Sequence, residues 1–88
     1  MTDYLRCSFT QTPAHFNYYE VRFQAAFSAG QPICVVSDSE LLRVTNSSGL
    51  VRIEIVQEKT NSALVRIRTI AQPFNPRYQV SKREIISV

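Results

Sequence analysis

Strict alternation of apolar and polar residues in two neighbouring segments constrains the fold more than any other feature. Segment 50–56 places Val51, Ile53 and Ile55 on one face, and segment 64–70 repeats the scheme with Val65 and Ile67. Successive side chains of a strand point to opposite faces, so both segments are typical of half-buried strands. The link at 57–63 is rich in turn-forming residues. Together they predict an antiparallel hairpin.

Matching the apolar faces restricts the register of this hairpin. A register centred on Thr60 places Ile55 opposite Val65 and Glu54 opposite Arg66, and it brings Arg52 opposite Arg68. Another register places Arg68 opposite Glu54. The tetrapeptide Leu-Val-Arg-Ile occurs at 50–53 and again at 64–67. Four matching residues are too few for a structural repeat, so we interpret them as one packing solution used twice.

The rest of the chain also favours strands. Valine and isoleucine supply 16 residues, against 12 from alanine, leucine and methionine, and branched side chains suit a pleated sheet. Strands are predicted at 4–10, 33–36 and 84–88. Loops are predicted at 46–49 and at 72–76, where two prolines prevent regular pairing. The spacing of Ser37 and Glu40 fits a capping box and predicts a short helical turn.

Residues 12–30 fit two interpretations. A helix over 13–28 would have Thr12 as its N-cap, Pro13 as its first residue and Gly30 at its end. A strand would instead turn Tyr19 and Val21 inward, together with Phe23, Ala25 and Phe27. The strand explains the alternation better, so we favour it.

These patterns predict one mainly β domain over 1–88, as a small antiparallel barrel or curled sheet. It resembles SH3-like barrels in general architecture, and this resemblance implies no function. The alternative is an α+β fold with a helix at 13–28 packed on the sheet. The apolar runs are too short to span a membrane, and we expect a cytoplasmic protein.

Catalytic chemistry has little support in the sequence. Cys7 and Cys34 lie in apolar segments, where a thiol is expected to be buried, neutral and free of a disulfide. The single histidine, His15, is expected in a loop or first helical turn. Four metal ligands or a glycine-rich phosphate loop are not evident. We therefore expect neither enzymatic activity nor a metal or other cofactor, and no small-molecule substrate.

Two groups of basic residues suggest an anionic partner. The net charge is +3, and eight of the ten basic residues are arginine, whose planar fork suits phosphate. The first group, on the outer hairpin face, is Arg52, Arg66 and Arg68. The second interleaves aromatic and basic residues, namely Phe74, Arg77, Tyr78, Lys82 and Arg83. Such groups can hold phosphates and stack bases, although both also fit a solvated surface.

The leading hypothesis is therefore a small regulatory binding module that contacts nucleic acid through these residues. The competing hypothesis is a protein-interaction or inhibitor module acting through a sheet edge, with a homodimer as one form. The residues expected at such an interface are Leu50, Val56, Ile70, Tyr18 and Arg22.

Overall fold

The computed structural model of the chain describes residues 1–12, 17–26, 30–70 and 76–88. All eight strands of this part belong to one antiparallel sheet. The strands are β1 (Asp3–Gln11), β2 (Tyr18–Arg22), β3 (Ile33–Ser37), β4 (Leu41–Arg43), β5 (Ser48–Glu58), β6 (Ser62–Ile67), β7 (Arg77–Ser81) and β8 (Ile85–Ser87). Two 3₁₀ turns, Asp38–Glu40 and Lys82–Glu84, precede β4 and β8. The prediction of a mainly β fold is confirmed.

The sheet is curled, consistent with a small SH3-like barrel. Its main path runs β3-β2-β1-β5-β6-β7, while β4 pairs with β5 and β8 pairs with β1. Period-two alternation puts the buried apolar side chains on the inner face. The buried core includes Leu5, Val51, Val65 and Val80, all fully inaccessible to solvent.

The predicted hairpin and its register are confirmed for most of its length. Ile55 lies opposite Val65, and Glu54 lies opposite Arg66. A bulge at Val56 then shifts the register by one residue, so that Gln57 faces Leu64. This shift lets the strands meet in a tight turn, which the Lys59 N–H closes by donating to the Ser62 carbonyl at 2.9 Å.

The alternative of a helix over 13–28 is wrong. Strand β2 occupies its middle, where Tyr19 and Val21 are buried between the more exposed Tyr18, Glu20 and Arg22. The Thr12 N–H donates to the Tyr18 carbonyl at 3.1 Å, which joins the end of β1 to the start of β2. Burial at every second residue outweighs the capping pattern here. Residues 13–16 and 27–29 lie outside the described residues.

The capping-box spacing at 37–40 does produce a helical turn. The Ser37 hydroxyl accepts a hydrogen bond from the Ser39 N–H at the start of the first 3₁₀ turn. Ser81 makes the corresponding bond with the Arg83 N–H at the start of the second. Both turns redirect the chain into a short final strand, β4 or β8.

Strands β1–β4 and β5–β8 are two copies of one pairing scheme. Tyr19 pairs with Val36 in the first copy, and Ala63 pairs with Val80, each 44 positions later, in the second. The segments Val-Ser-x-x-Glu-Leu-Leu at 36–42 and Val-Ser-x-x-Glu-Ile-Ile at 80–86 show the same offset in the sequence. The repeated tetrapeptide is unrelated to this duplication, since it compares β5 with β6 inside one copy.

The two halves exchange their fourth strands. Leu41 of β4 pairs with Val51 of β5, and Ile85 of β8 pairs with Leu5 of β1. Leu5 and Val51 in turn pair with each other where β1 meets β5. Leu5 and Val51 are corresponding residues of the two halves, and they pair with each other. The fold therefore has approximate internal twofold symmetry, with the axis near this pair.

Each half also covers the free edge of the other. The Ile70 N–H donates to the Val35 carbonyl of β3 at 3.0 Å, and the Ala26 N–H donates to the Gln79 carbonyl of β7 at 2.8 Å. The two donors are 44 positions apart in the sequence, and so are the two acceptors. The two ends of the main sheet path are thus partly closed by reciprocal contacts.

Candidate functional site

Strands β5, β6 and β7 and the residue that follows β6 place four arginines on the outer side of the sheet. Arg66 of β6 lies between Glu54 of β5 and Arg77 of β7. Continuing the β5–β6 register by one residue places Arg52 across from Arg68. Since directly opposed residues share a face, all four side chains emerge on the side away from the core. We call Arg52, Arg66, Arg68 and Arg77 the arginine face.

Like charges directly opposite each other destabilise a sheet unless an anion lies between them. Arg66 has one carboxylate nearby, Glu54, with Nη1 and Oε1 3.7 Å apart. The side chain of Glu54 is 68% exposed, so solvent screens this contact and leaves it weak. Arg52 and Arg68 form no ion pair within the described ranges. The arginine face therefore retains positive charge that a ligand can neutralise.

A groove of about 390 Å³ runs beside three of these arginines. Arg52, Arg66 and Arg68 line it together with three carboxylates, Asp3, Glu40 and Glu54. The groove thus offers donors and acceptors side by side. Sequence reasoning missed Asp3 and Glu40, because they come from the start of β1 and from the first 3₁₀ turn. No local pattern places those segments beside β5.

The two structurally similar halves of the chain differ in charge. Residues 1–45 hold three basic and four acidic residues, whereas residues 46–88 hold seven basic and three acidic residues. Two arginines of the arginine face have arginines at the corresponding positions. Arg22 lies 44 positions before Arg66, and Arg6 lies 46 positions before Arg52, the offset that relates Leu5 of β1 to Val51 of β5. The other two correspond to Gln24 and Ile33. The excess positive charge therefore belongs to the second half.

The structure divides the second predicted group. Arg77 joins the arginine face, whereas Lys82 and Arg83 lie near the β5–β6 turn, where the Lys82 N–H donates to the Asn61 carbonyl at 3.1 Å. The Lys82 ammonium is 3.7 Å from a Glu58 carboxylate oxygen, and Arg83 is exposed. Phe74 lies outside the described residues.

Tyr78, predicted to stack on bases of a nucleic acid, instead makes contacts within the fold. Its ring packs edge-to-face against Phe23, with centroids 5.0 Å apart. Its hydroxyl accepts a hydrogen bond from the Cys34 thiol at 3.6 Å. Burial and this contact raise the pKa of Tyr78 to about 12. We therefore leave Tyr78 out of the candidate site.

The residues expected at a protein interface do not form one surface. Leu50 and Val56 are in β5, while Tyr18 and Arg22 are in β2, and β1 lies between these strands. Arg22 is 3.7 Å from Glu20, a weak exposed ion pair. Ile70 lies beside β3 through its backbone bond. Val56 and Ile70 are exposed, at 38% and 42%, and the Arg22 side chain is exposed to a similar extent, 38%.

A smaller depression on the first half contains an arginine that is already engaged. Arg43 borders it with Phe9 and Tyr19. The Arg43 guanidinium donates to an Asp38 carboxylate oxygen at 2.8 Å and lies 4.9 Å from the centroid of the Tyr19 ring. These contacts fix Arg43 within the structure, so it is a weaker candidate for ligand binding.

Both cysteines are buried and free, as predicted. Burial raises the pKa of Cys7 to about 11 and also raises the pKa of Cys34. A neutral buried thiol is a poor nucleophile. His15 lies outside the described residues. Within the described part of the chain, no three histidine, cysteine or acidic residues are grouped to hold a metal ion. That part also contains no helix of the length and apolarity that a membrane span requires.

The raised thiol pKa predicts loss of stability at alkaline pH. Unfolded Cys7 releases its proton near pH 9, whereas the folded protein retains it up to about pH 11. The stabilisation is complete below pH 9, and we expect it to fall by on the order of 2 kcal/mol as pH rises through 11. Urea unfolding at pH 7 to 11 measures this. Cys7→Ala should reduce the loss of stability at alkaline pH without abolishing it, because the pKa values of Cys34 and Tyr78 are also raised. An unchanged pH dependence in this variant would contradict the prediction.

Comparison with known proteins gives no relative from which a function can be transferred. No family model matches the chain, and neither curated proteins nor solved structures yield a significant match.

Proposed function

We propose that this chain is a small, non-enzymatic, regulatory binding module that contacts nucleic acid through the arginine face. The observation that carries the proposal is the pairing of Arg66 with Arg77 across β6 and β7, together with Arg52 and Arg68 beside Arg66 in the same groove. A phosphate backbone crossing the sheet would relieve this repulsion. The concentration of basic residues in the second half supports the same reading.

The competing proposal, a protein partner paired to a sheet edge, has less support. The outer edges of β3 and β7 each already accept a backbone hydrogen bond from the other half, at Val35 and Gln79. An added strand would have to displace Ile70 or Ala26 from these positions. A homodimer formed through either edge would have the same cost.

Substitution of two arginines tests the nucleic-acid proposal. We expect Arg66→Ala with Arg68→Ala to weaken binding to labelled RNA and DNA at least about tenfold at low salt, because two phosphate contacts are lost. The dependence of log K on log salt should become shallower by about 1.5. Fluorescence anisotropy across a salt series measures both quantities.

Lys82→Ala with Arg83→Ala is the matched control, since it removes the same charge at the other end of the β6–β7 pair. If both double variants weaken binding equally, the attraction depends on net charge and the arginine face is not the site. If the unmodified protein binds no probe at low salt, the proposal fails, and capture of a protein partner becomes the next experiment.

A further inference from the structure

The outer side of the β1–β5 pair carries apolar and aromatic side chains where a solvated sheet would carry polar ones. Tyr4 lies opposite Arg52, and Arg6 lies opposite Leu50. Leu42 of β4 pairs with Leu50 on its other side, so Arg6, Leu50 and Leu42 form one row across the strands. Ile86 of β8 pairs with Tyr4 on its other side, so Ile86, Tyr4 and Arg52 form a second row. We call Tyr4, Arg6, Leu50 and Arg52, flanked by Leu42 and Ile86, the central outer face.

The central outer face is accessible and continuous with the arginine face. Leu42 is 46% exposed, Tyr4 and Leu50 are half-buried, and both arginines are exposed. Arg52 belongs to both surfaces, so a ligand held by Arg52 and Arg68 reaches Tyr4 directly. Internal symmetry makes Arg6 the counterpart of Arg52, and it continues the positive charge beyond Leu50.

A nucleic-acid duplex would bind poorly to the central outer face together with the groove beside the arginines. The groove beside the arginines contains as many carboxylates as arginines, and a duplex backbone presents phosphates to both. A single strand instead exposes its bases, whose amino groups can donate to Asp3, Glu40 or Glu54. Its unpaired bases can also stack on an aromatic ring flanked by guanidinium groups.

We propose that the central outer face and the adjoining groove bind single-stranded nucleic acid, with a base stacked on Tyr4 and phosphates held by Arg52 and Arg68. This inference rests on the proposed function and specifies its ligand. The carboxylates of the groove accept hydrogen bonds from base edges, and Arg6 holds the strand where it leaves the face. Leu50 supports the stacked base beside Tyr4.

Two variants of Tyr4 test the stacking. Tyr4→Leu should weaken binding of 12-nucleotide single strands about tenfold, because stacking on one ring is lost, and should leave the salt dependence unchanged. Tyr4→Phe retains the ring and should bind as the unmodified protein does. Single-stranded DNA, single-stranded RNA and a duplex of the same sequence are compared by anisotropy, and circular dichroism verifies the fold of each variant.

The outcomes separate this inference from the proposed function. Preference for single strands, lost in Tyr4→Leu and kept in Tyr4→Phe, supports both. Duplex binding at least as tight, insensitive to Tyr4→Leu but lost with Arg66 and Arg68, overturns the inference and leaves the proposed function standing. If no probe binds, and Leu42→Asp dissociates a dimer seen by size-exclusion chromatography, both are overturned and the face is a protein interface.

Discussion

Phe23→Ala is expected to destabilise the fold by roughly 3–5 kcal/mol, the range for deletion of a buried aromatic ring. Phe23 is only 2% exposed and packs edge-to-face on Tyr78. It therefore joins the end of β2 in the first half to β7 in the second. For a domain of this size the melting temperature should fall by at least about 12 °C. Thermal unfolding followed by circular dichroism measures the change.

Phe23→Leu keeps the experiment informative if the alanine variant fails to fold, because it retains most of the apolar volume and should cost less. Ile33→Ala is the matched control. Ile33 is 53% exposed, so its truncation should change stability by no more than about 0.5 kcal/mol. Equal losses from Phe23→Ala and Ile33→Ala would show that Phe23 is not part of the core.

Gly49→Ala is expected to cost roughly 2–3 kcal/mol for a steric reason. Gly49 pairs with Cys7 of β1 on one side and with Arg43 of β4 on the other. A Cβ at this position would overlap the carbonyl oxygen of Leu42, a backbone atom that cannot rotate away. Strand β4 would have to move from β5. The urea midpoint should fall accordingly.

The other glycine provides the control for that measurement. A Cβ at Gly30 meets no atom of the described residues within 4 Å, so Gly30→Ala should be neutral to within about 0.5 kcal/mol. If Gly30→Ala lowers the free energy of unfolding as much as Gly49→Ala does, the cause is the general effect of replacing glycine on backbone flexibility and not the steric overlap. A neutral Gly49→Ala would mean that β4 does not lie as close to β5 as described.

The alternation of the hairpin predicted its buried face and register correctly, because local periodicity determines both. The same reasoning could not find that β1 pairs with β5, since paired residues at least 40 positions apart leave no local signal of their pairing. The groove was missed for the same reason. Glu40 reaches it only because β4 pairs with the second half.

The ambiguity at 12–30 shows how tertiary packing outweighs local signals. Thr12, Pro13 and Gly30 form a good set of helix boundaries, yet the Thr12 N–H closes a hairpin instead. Tyr19 and Val21 are buried because β1 and β3 flank them, which the segment alone does not reveal. The 44-residue offset was present in the sequence at 36–42 and 80–86, but it was obscured by differences elsewhere.

The exchange of β4 and β8 between the halves has a consequence for how the chain acquires its structure. While the first half is leaving the ribosome, β4 has no strand to pair with, and β1 lacks both β5 and β8. Neither half can complete its sheet before the other is present. Because the decisive pairings join distant residues, folding should be slow for a chain of this length. It should also be cooperative, without a stable half-folded state.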